Sequence, residues 1–225
     1  ADRHIAAQFD AESLERRVQN KRVLQERAHL PVRGEIPLLA MISRLTDQKG
    51  FDLLGQIAQP LFAQGVQFVV MGIGDQHYQE MFQNLAARYP EQVASFLTFN
   101  TEMAQGIYAG SDMFLMPSKW EPCGLGQLIA MRYGSVPIVR HVGGLADTVQ
   151  EYNAQTGDGN GFVFNNYDAW EFFAAIVRAL TLYPHKDIWR TLQLHGMAAD
   201  HSWRASALRY VDVYRNALAY HHSGK

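Results

Sequence analysis

One stretch crowds reactive side chains into a short turn: Pro117-Ser118-Lys119-Trp120-Glu121-Pro122-Cys123-Gly124-Leu125-Gly126-Gln127. It follows an apolar run, residues 113–116, that reads as a buried strand, and it leads into a helix-like segment ending at Tyr133. A carboxylate, a thiol and two glycines therefore fall between a strand's carboxyl end and a helix's amino end. In an open α/β sheet that crevice is where ligands bind, and the free backbone N–H groups of the helix start favour anionic ligand groups. Glu121 precedes a proline, which restricts it to extended backbone and would aim its carboxylate into the crevice. The plainer alternative makes Glu121 a surface cap for the helix. Cys123 reads as a small buried packing residue rather than a nucleophile, since no histidine adjoins it. Gly124 and Gly126 could serve close packing alone.

Three other segments fall just after predicted strands, and so on the same edge of a sheet. Ser43-Arg44-Leu45-Thr46-Asp47-Gln48-Lys49-Gly50 holds two cations in one short loop beside a helix start. Arg44 and Lys49 could converge on a diphosphate; otherwise they are solvated loop cations. The Gly-Lys-Ser/Thr ending of a P-loop is absent. In Gly72-Ile73-Gly74-Asp75 a glycine pair would let backbone approach a ligand. Tyr78 and Gln79 offer no third glycine, so the dinucleotide fingerprint fails. A tight strand-to-helix turn capped by Asp75 explains that segment equally well. His141-Val142-Gly143-Gly144-Leu145-Ala146-Asp147 offers a tight turn and a capping aspartate. The nine histidines form no metal pattern; His195 and His201 are isolated, and His221-His222 reads as a tail.

The elements that would position these loops alternate along the chain. Asp10 can cap a helix over 11–28, ended by Pro31-Val32-Arg33-Gly34. Strands are expected at 38–42, 66–71, 94–99, 113–116, 136–140 and 161–164. Helices are expected at 51–64, 76–88, 102–109, 125–133 and 168–182, with a short turn or helix at 144–149 and a loop at 153–160. The tail, 187–201 and 203–220, reads as helical and packed around the domain. Strands apolar on both faces, alternating with helices, imply a parallel sheet covered on both sides, with right-handed crossovers. No repeat or linker divides the chain, so residues 1–225 read as one Rossmann-like domain.

Composition agrees with a globular protein: 48% hydrophobic and 19% charged residues in a chain of 225. A net charge of −2 gives no global field favouring nucleic acid or membrane. A single cysteine rules out an internal disulfide and fits a reducing compartment. The longest apolar runs are strand-sized, and nothing resembles a signal peptide or a spanning helix. The opening Ala1-Asp2-Arg3-His4 lacks Met and reads as the middle of a longer chain.

Residues 43–50, 117–127 and 143–149, in this order, resemble the C-terminal half of bacterial glycogen synthases and plant starch synthases. The family patterns are Ser-Arg-Leu-Thr-x-Gln-Lys-Gly, Glu-Pro-Cys-Gly-Leu-Thr-Gln and Gly-Gly-Leu-x-Asp-Thr-Val. Phe9-Asp10-Ala11-Glu12-Ser13-Leu14-Glu15 and Ser202-Trp203 also resemble family segments. The resemblance implies the second domain of a GT-B fold, in which two Rossmann-like domains flank the active site. It implies retaining transfer of glucose from ADP-glucose or UDP-glucose to an α-1,4-glucan, in the bacterial cytoplasm or the plastid stroma. The N-terminal domain, with its Lys-x-Gly-Gly-Leu loop and acceptor surface, is then missing. Arg44 and Lys49 would hold the donor's diphosphate, and Glu121 would contact the donor glucose. Cys123, Gly124, Leu125, Gly126 and Gly74 would border the donor, and Phe99 would stack on its adenine; the alternative for Phe99 is a core aromatic at a strand end. No cofactor or metal is implied.

Two departures stand out. The family's Thr is Gly126 here, so a hydroxyl contact to phosphate is lost while the amide remains. Sucrose-synthase-like relatives carry a second Glu eight residues after the first, where this chain has Ile129. A non-catalytic nucleotide- or glucan-binding module, or a GT-B enzyme such as a sugar-nucleotide epimerase, are the alternatives.

Overall fold

A computed structural model describes residues 2–223. Six strands form one sheet: β1 (Leu38–Ile42), β2 (Gln67–Met71), β3 (Val93–Phe96), β4 (Met113–Met116), β5 (Val136–Arg140) and β6 (Phe162–Phe164). Their order is β3-β2-β1-β4-β5-β6, and every pairing is parallel. The chain builds outward from β1 through β2 to β3, then returns to β4 on the other side of β1. The order therefore reverses between β1 and β4, and the loops leaving these two strands flank the crevice at that switch point. They are the loops carrying Arg44, Lys49 and Glu121.

Alternation along each strand sends side chains to two separate cores. Leu39 and Met41 of β1, with Phe68 and Val70 of β2, pack beneath α2 (Phe51–Phe62), α3 (Gln76–Arg88) and α7 (Ala169–Leu182). Leu38, Ala40, Val69 and Met71 face the other way, against α1 (Arg17–Arg27) and α4 (Thr101–Gly110). Ala130 of α5 (Gly126–Arg132) joins this second core. Trp189 and Leu192 bring α8 (Lys186–Ala198) onto the first. The short α6 (Gly143–Thr148) follows β5. Burial on both faces is why the strands read as continuous apolar runs.

Several ends shift by one or two residues, and three elements differ more from expectation. The first helix starts later, because Asp10 closes a turn: its Oδ1 accepts from Ser13 Oγ at 2.6 Å and from the Ser13 amide at 2.9 Å. A 3-10 turn over Leu14–Arg16 precedes α1. β3 stops at Phe96, the partner of the last residue of β2, Met71; Asn100 then caps α4 through the Met103 amide at 2.9 Å. Phe99 consequently lies in the loop between them. Finally, whereas α8 buries Trp189 and Leu192, α9 (Trp203–Ser223) buries none of its residues. Its aromatic and aliphatic side chains, Tyr210, Tyr214 and Leu218 among them, are exposed.

Candidate active site

The loop after β1 extends the pattern of the sheet beyond the strand. The Ser43 amide donates to the Met71 carbonyl at 3.1 Å, and the Leu45 amide to that of Ile73 at 3.0 Å. The Leu45 carbonyl accepts from the Asp75 amide at 2.7 Å. A Cβ on Gly74 would collide with the backbone of Leu45, so the glycine here lets two loops touch. Beyond Leu45 the chain makes a single 3-10 turn, Asp47–Lys49, held by the Tyr78 hydroxyl donating to Asp47 Oδ1 at 2.7 Å. Gly50 ends the turn at φ +76°, and any side chain there would run into the Pro117 carbonyl.

The same loop is stitched to the turn after β4. The Lys119 amide donates to the Gln48 carbonyl at 2.8 Å, and Gln48 Nε2 donates to the Trp120 carbonyl at 3.0 Å. Lys49 is thereby delivered to Glu121: Nζ lies 2.6 Å from Oε2, with the two side chains 16% and 10% exposed. Ser118 Oγ donates to that same oxygen at 3.1 Å. Oε2 thus carries two donors, while Oε1 accepts no hydrogen bond among the described residues. A carboxylate oriented through one oxygen keeps the other for a ligand hydroxyl.

Gln127, at the start of α5, fixes the far side of the turn. Its fully buried amide donates to the carbonyls of Cys123 and Gly124 at 3.2 and 3.1 Å, and reaches Thr148 Oγ1 of α6 at 3.1 Å. The Gly144 amide adds a bond to the Glu121 carbonyl at 3.1 Å. Sequence reasoning assigned no role to Gln127, Ser118 or Tyr78. A polar residue facing inward from the first turn of a helix was the available signal for Gln127.

These loops enclose a cleft of about 240 Å³. Arg44, Lys49, Glu121, Gly124, Leu125 and Gly126 all line it, joined by Ser43, Ser118, Tyr108 and Ile129. Arg44 is exposed and takes part in no ion pair among the described residues. Cys123, Phe99 and Gly74 are not among the lining residues. Cys123 is exposed, so the expectation of a buried packing thiol is corrected: it lies in the turn between β4 and α5, outside both helix and strand. Phe99 is 64% exposed, a ring held open rather than a core aromatic. A Cβ on Gly126 would sit 3.2 Å from both Phe114 Cε1 and Met116 Sδ, so a side chain there requires these neighbours to give by a few tenths of an ångström.

A larger cavity, about 630 Å³, lies beside β6 and α7. Its carboxylates are already committed, Glu151 to Arg178 at 3.0 Å and Glu171 to the Asn166 amide at 2.9 Å. The two cations and the available carboxylate oxygen belong to the smaller cleft. Among the described residues no cluster of three metal-ligating side chains occurs, and no helix is long and apolar enough to cross a membrane.

Fold and cleft together define an open, parallel α/β domain whose switch-point cleft is lined by two cations and a carboxylate. The family described as Glycosyl transferases group 1 matches residues 24–191, about three quarters of the chain, and the chain belongs to that family. It is 47% identical over 217 residues to a glycogen synthase of Kosmotoga olearia, covering 96% of this chain and 46% of that protein. A glycogen synthase of Desulforudis audaxviator is 49% identical over 218 residues, covering 96% of this chain and 43% of its own length. The chain thus spans about half the length of the curated relatives it matches. Among solved structures, the catalytic domain of starch synthase IV from Arabidopsis thaliana, bound to ADP and acarbose, superposes with a TM-score of 0.88. It is 35% identical, over 97% of this chain and 46% of that one. Sucrose-phosphate synthase from Thermosynechococcus elongatus, 23% identical with a TM-score of 0.63, shares the fold.

Proposed function

We propose that this chain is the donor-binding half of a retaining GT-B glucosyltransferase of the glycogen and starch synthase kind. It would move glucose from ADP-glucose or UDP-glucose to the non-reducing end of an α-1,4-glucan. The observation that carries this reading is the Lys49–Glu121 pair beside Arg44 in the switch-point cleft. When the bond between the anomeric carbon and the phosphate oxygen breaks, negative charge grows on the departing diphosphate. Preorganised cations at that position lower the barrier. Lys49 and Arg44 supply that charge, and Glu121 Oε1 is available to accept a glucose hydroxyl. Backbone amides over residues 124–126 border the phosphates, Cys123 flanks the sugar, and the open ring of Phe99 stacks on the base. Gly74 then acts through the loop it lets approach. The relatives' names, and the ADP and acarbose in the Arabidopsis starch synthase, support this choice of ligands.

The missing N-terminal half completes the cleft and supplies the acceptor surface, so the chain is inactive alone. Its docking element is α9, whose Tyr210, Tyr214 and Leu218 follow helical spacing and stand exposed. Such a protein works in the bacterial cytoplasm or the plastid stroma. Calorimetric titration with ADP and UDP tests the reading. Binding in the millimolar range or tighter is expected, lost in Arg44→Ala and Lys49→Ala. No nucleotide binding, or binding indifferent to both substitutions, refutes it.

A further inference from the structure

Tyr108 lies in the last turn of α4, and side chains on a helix lean toward its amino end. Because α4 follows β3, that end is the carboxyl edge of the sheet, so the phenol points up toward the cleft it lines. Its ring is clamped against Phe114, at 4.9 Å between centroids, and stacked over Tyr133 at 6.3 Å. The residue is only 7% exposed.

Buried phenols ordinarily pair their O–H. Among the described residues the Tyr108 hydroxyl makes no hydrogen bond, yet it is not one of the polar atoms sealed from solvent. The other hydroxyls lining the cleft are engaged. Ser43 Oγ donates to the Arg44 carbonyl at 3.1 Å, and Ser118 Oγ to Glu121 at 3.1 Å. Burial pushes the Tyr108 phenol up to about 12, so at neutral pH the group is a proton donor. Across α5, Gly126 has no hydroxyl to offer. A fixed, neutral donor is therefore left opening on the same small space as Arg44 and Lys49.

We infer that the Tyr108 hydroxyl is a ligand-binding group of this cleft, donating a hydrogen bond to an oxygen of the nucleotide sugar's diphosphate. The two cations select an anionic oxygen as the acceptor that occupies the space. The inference rests on the donor-site reading above and adds a contact to it.

Tyr108→Phe removes the oxygen and keeps the ring. Calorimetry on the chain, with ADP and with adenosine as probes, should show ADP binding weakened about tenfold and adenosine binding unchanged, as for a hydrogen bond to a charged group. ADP affinity within twofold of wild type overturns the inference, as does an equal loss for both probes, which would point to ring packing. Wild-type protein labelled at tyrosine Cζ gives a second readout that needs no substitution. ADP should shift a tyrosine carbon resonance, and a spectrum in which none of the ten tyrosines responds to bound ADP overturns the assignment. Failure of the parent reading looks different: wild type then binds no ADP, and both proposals fall. Binding abolished by Arg44→Ala but untouched by Tyr108→Phe removes this contact alone.

Discussion

Replacing Lys49 by alanine should destabilise the fold as well as impair the site. At 2.6 Å the Lys49–Glu121 attraction is about 6 kcal/mol gross at an effective dielectric near 20. Most of that offsets the desolvation of the two groups, whose side chains are 16% and 10% exposed. Removing only the lysine leaves a largely buried carboxylate without its cation, a change that costs about 3–5 kcal/mol for fully buried pairs. Ser118 continues to donate at 3.1 Å and the cleft admits some water, which lowers the expected loss. Lys49→Ala should therefore cost about 2–3 kcal/mol, read as a lower urea midpoint at unchanged slope. Adding Glu121→Gln removes the stranded charge and should restore at least half of the loss, a coupling measured by the double-mutant cycle. A loss below about 0.5 kcal/mol for Lys49→Ala, or no recovery on adding Glu121→Gln, refutes the reasoning.

Three further outcomes follow from the same geometry. Burial raises the phenols of Tyr78, Tyr108, Tyr133, Tyr167 and Tyr183 above the ordinary value of 10.0. The folded state thus holds protons that the unfolded chain releases, so the contribution of these phenols is constant below about pH 10 and stability should fall as pH rises above it. A urea midpoint constant from pH 8 to 11 would contradict this. Gly50→Ala should destabilise by about 1–3 kcal/mol through left-handed backbone strain, more where the Pro117 carbonyl cannot retreat. Equal stability by urea titration would remove that role. Ending the chain after Ser202 should leave the thermal midpoint unchanged, because α9 buries none of its residues; a large drop would mean that α9 packs on the domain.

The residue types and positions of Arg44, Lys49 and Glu121 made much of the site legible, because each follows a strand whose apolar run is unambiguous. β1, β4 and β5 coincide with their expected bounds for the same reason. β3 does not: Leu97 and Phe99 prolong the apolar pattern, but the neighbouring strand offers no partner beyond Met71. Asp10 looked like a helix cap, yet Ser13 captures its carboxylate in a tighter turn. What stayed hidden is tertiary. Tyr78 reaches Asp47, and Gln127 reaches Thr148, across gaps in sequence that leave no local periodicity. Gly74 showed that something must approach its backbone, but not that the neighbour is Leu45 rather than a ligand.

A crystal structure of the chain grown with ADP would test the central claim most directly. The account predicts both phosphates in the cleft between residues 43–50 and 121–126, within hydrogen-bond reach of Arg44 and Lys49. ADP lodged instead in the larger cavity beside β6 and α7, or a cleft left unoccupied at saturating nucleotide, would contradict it.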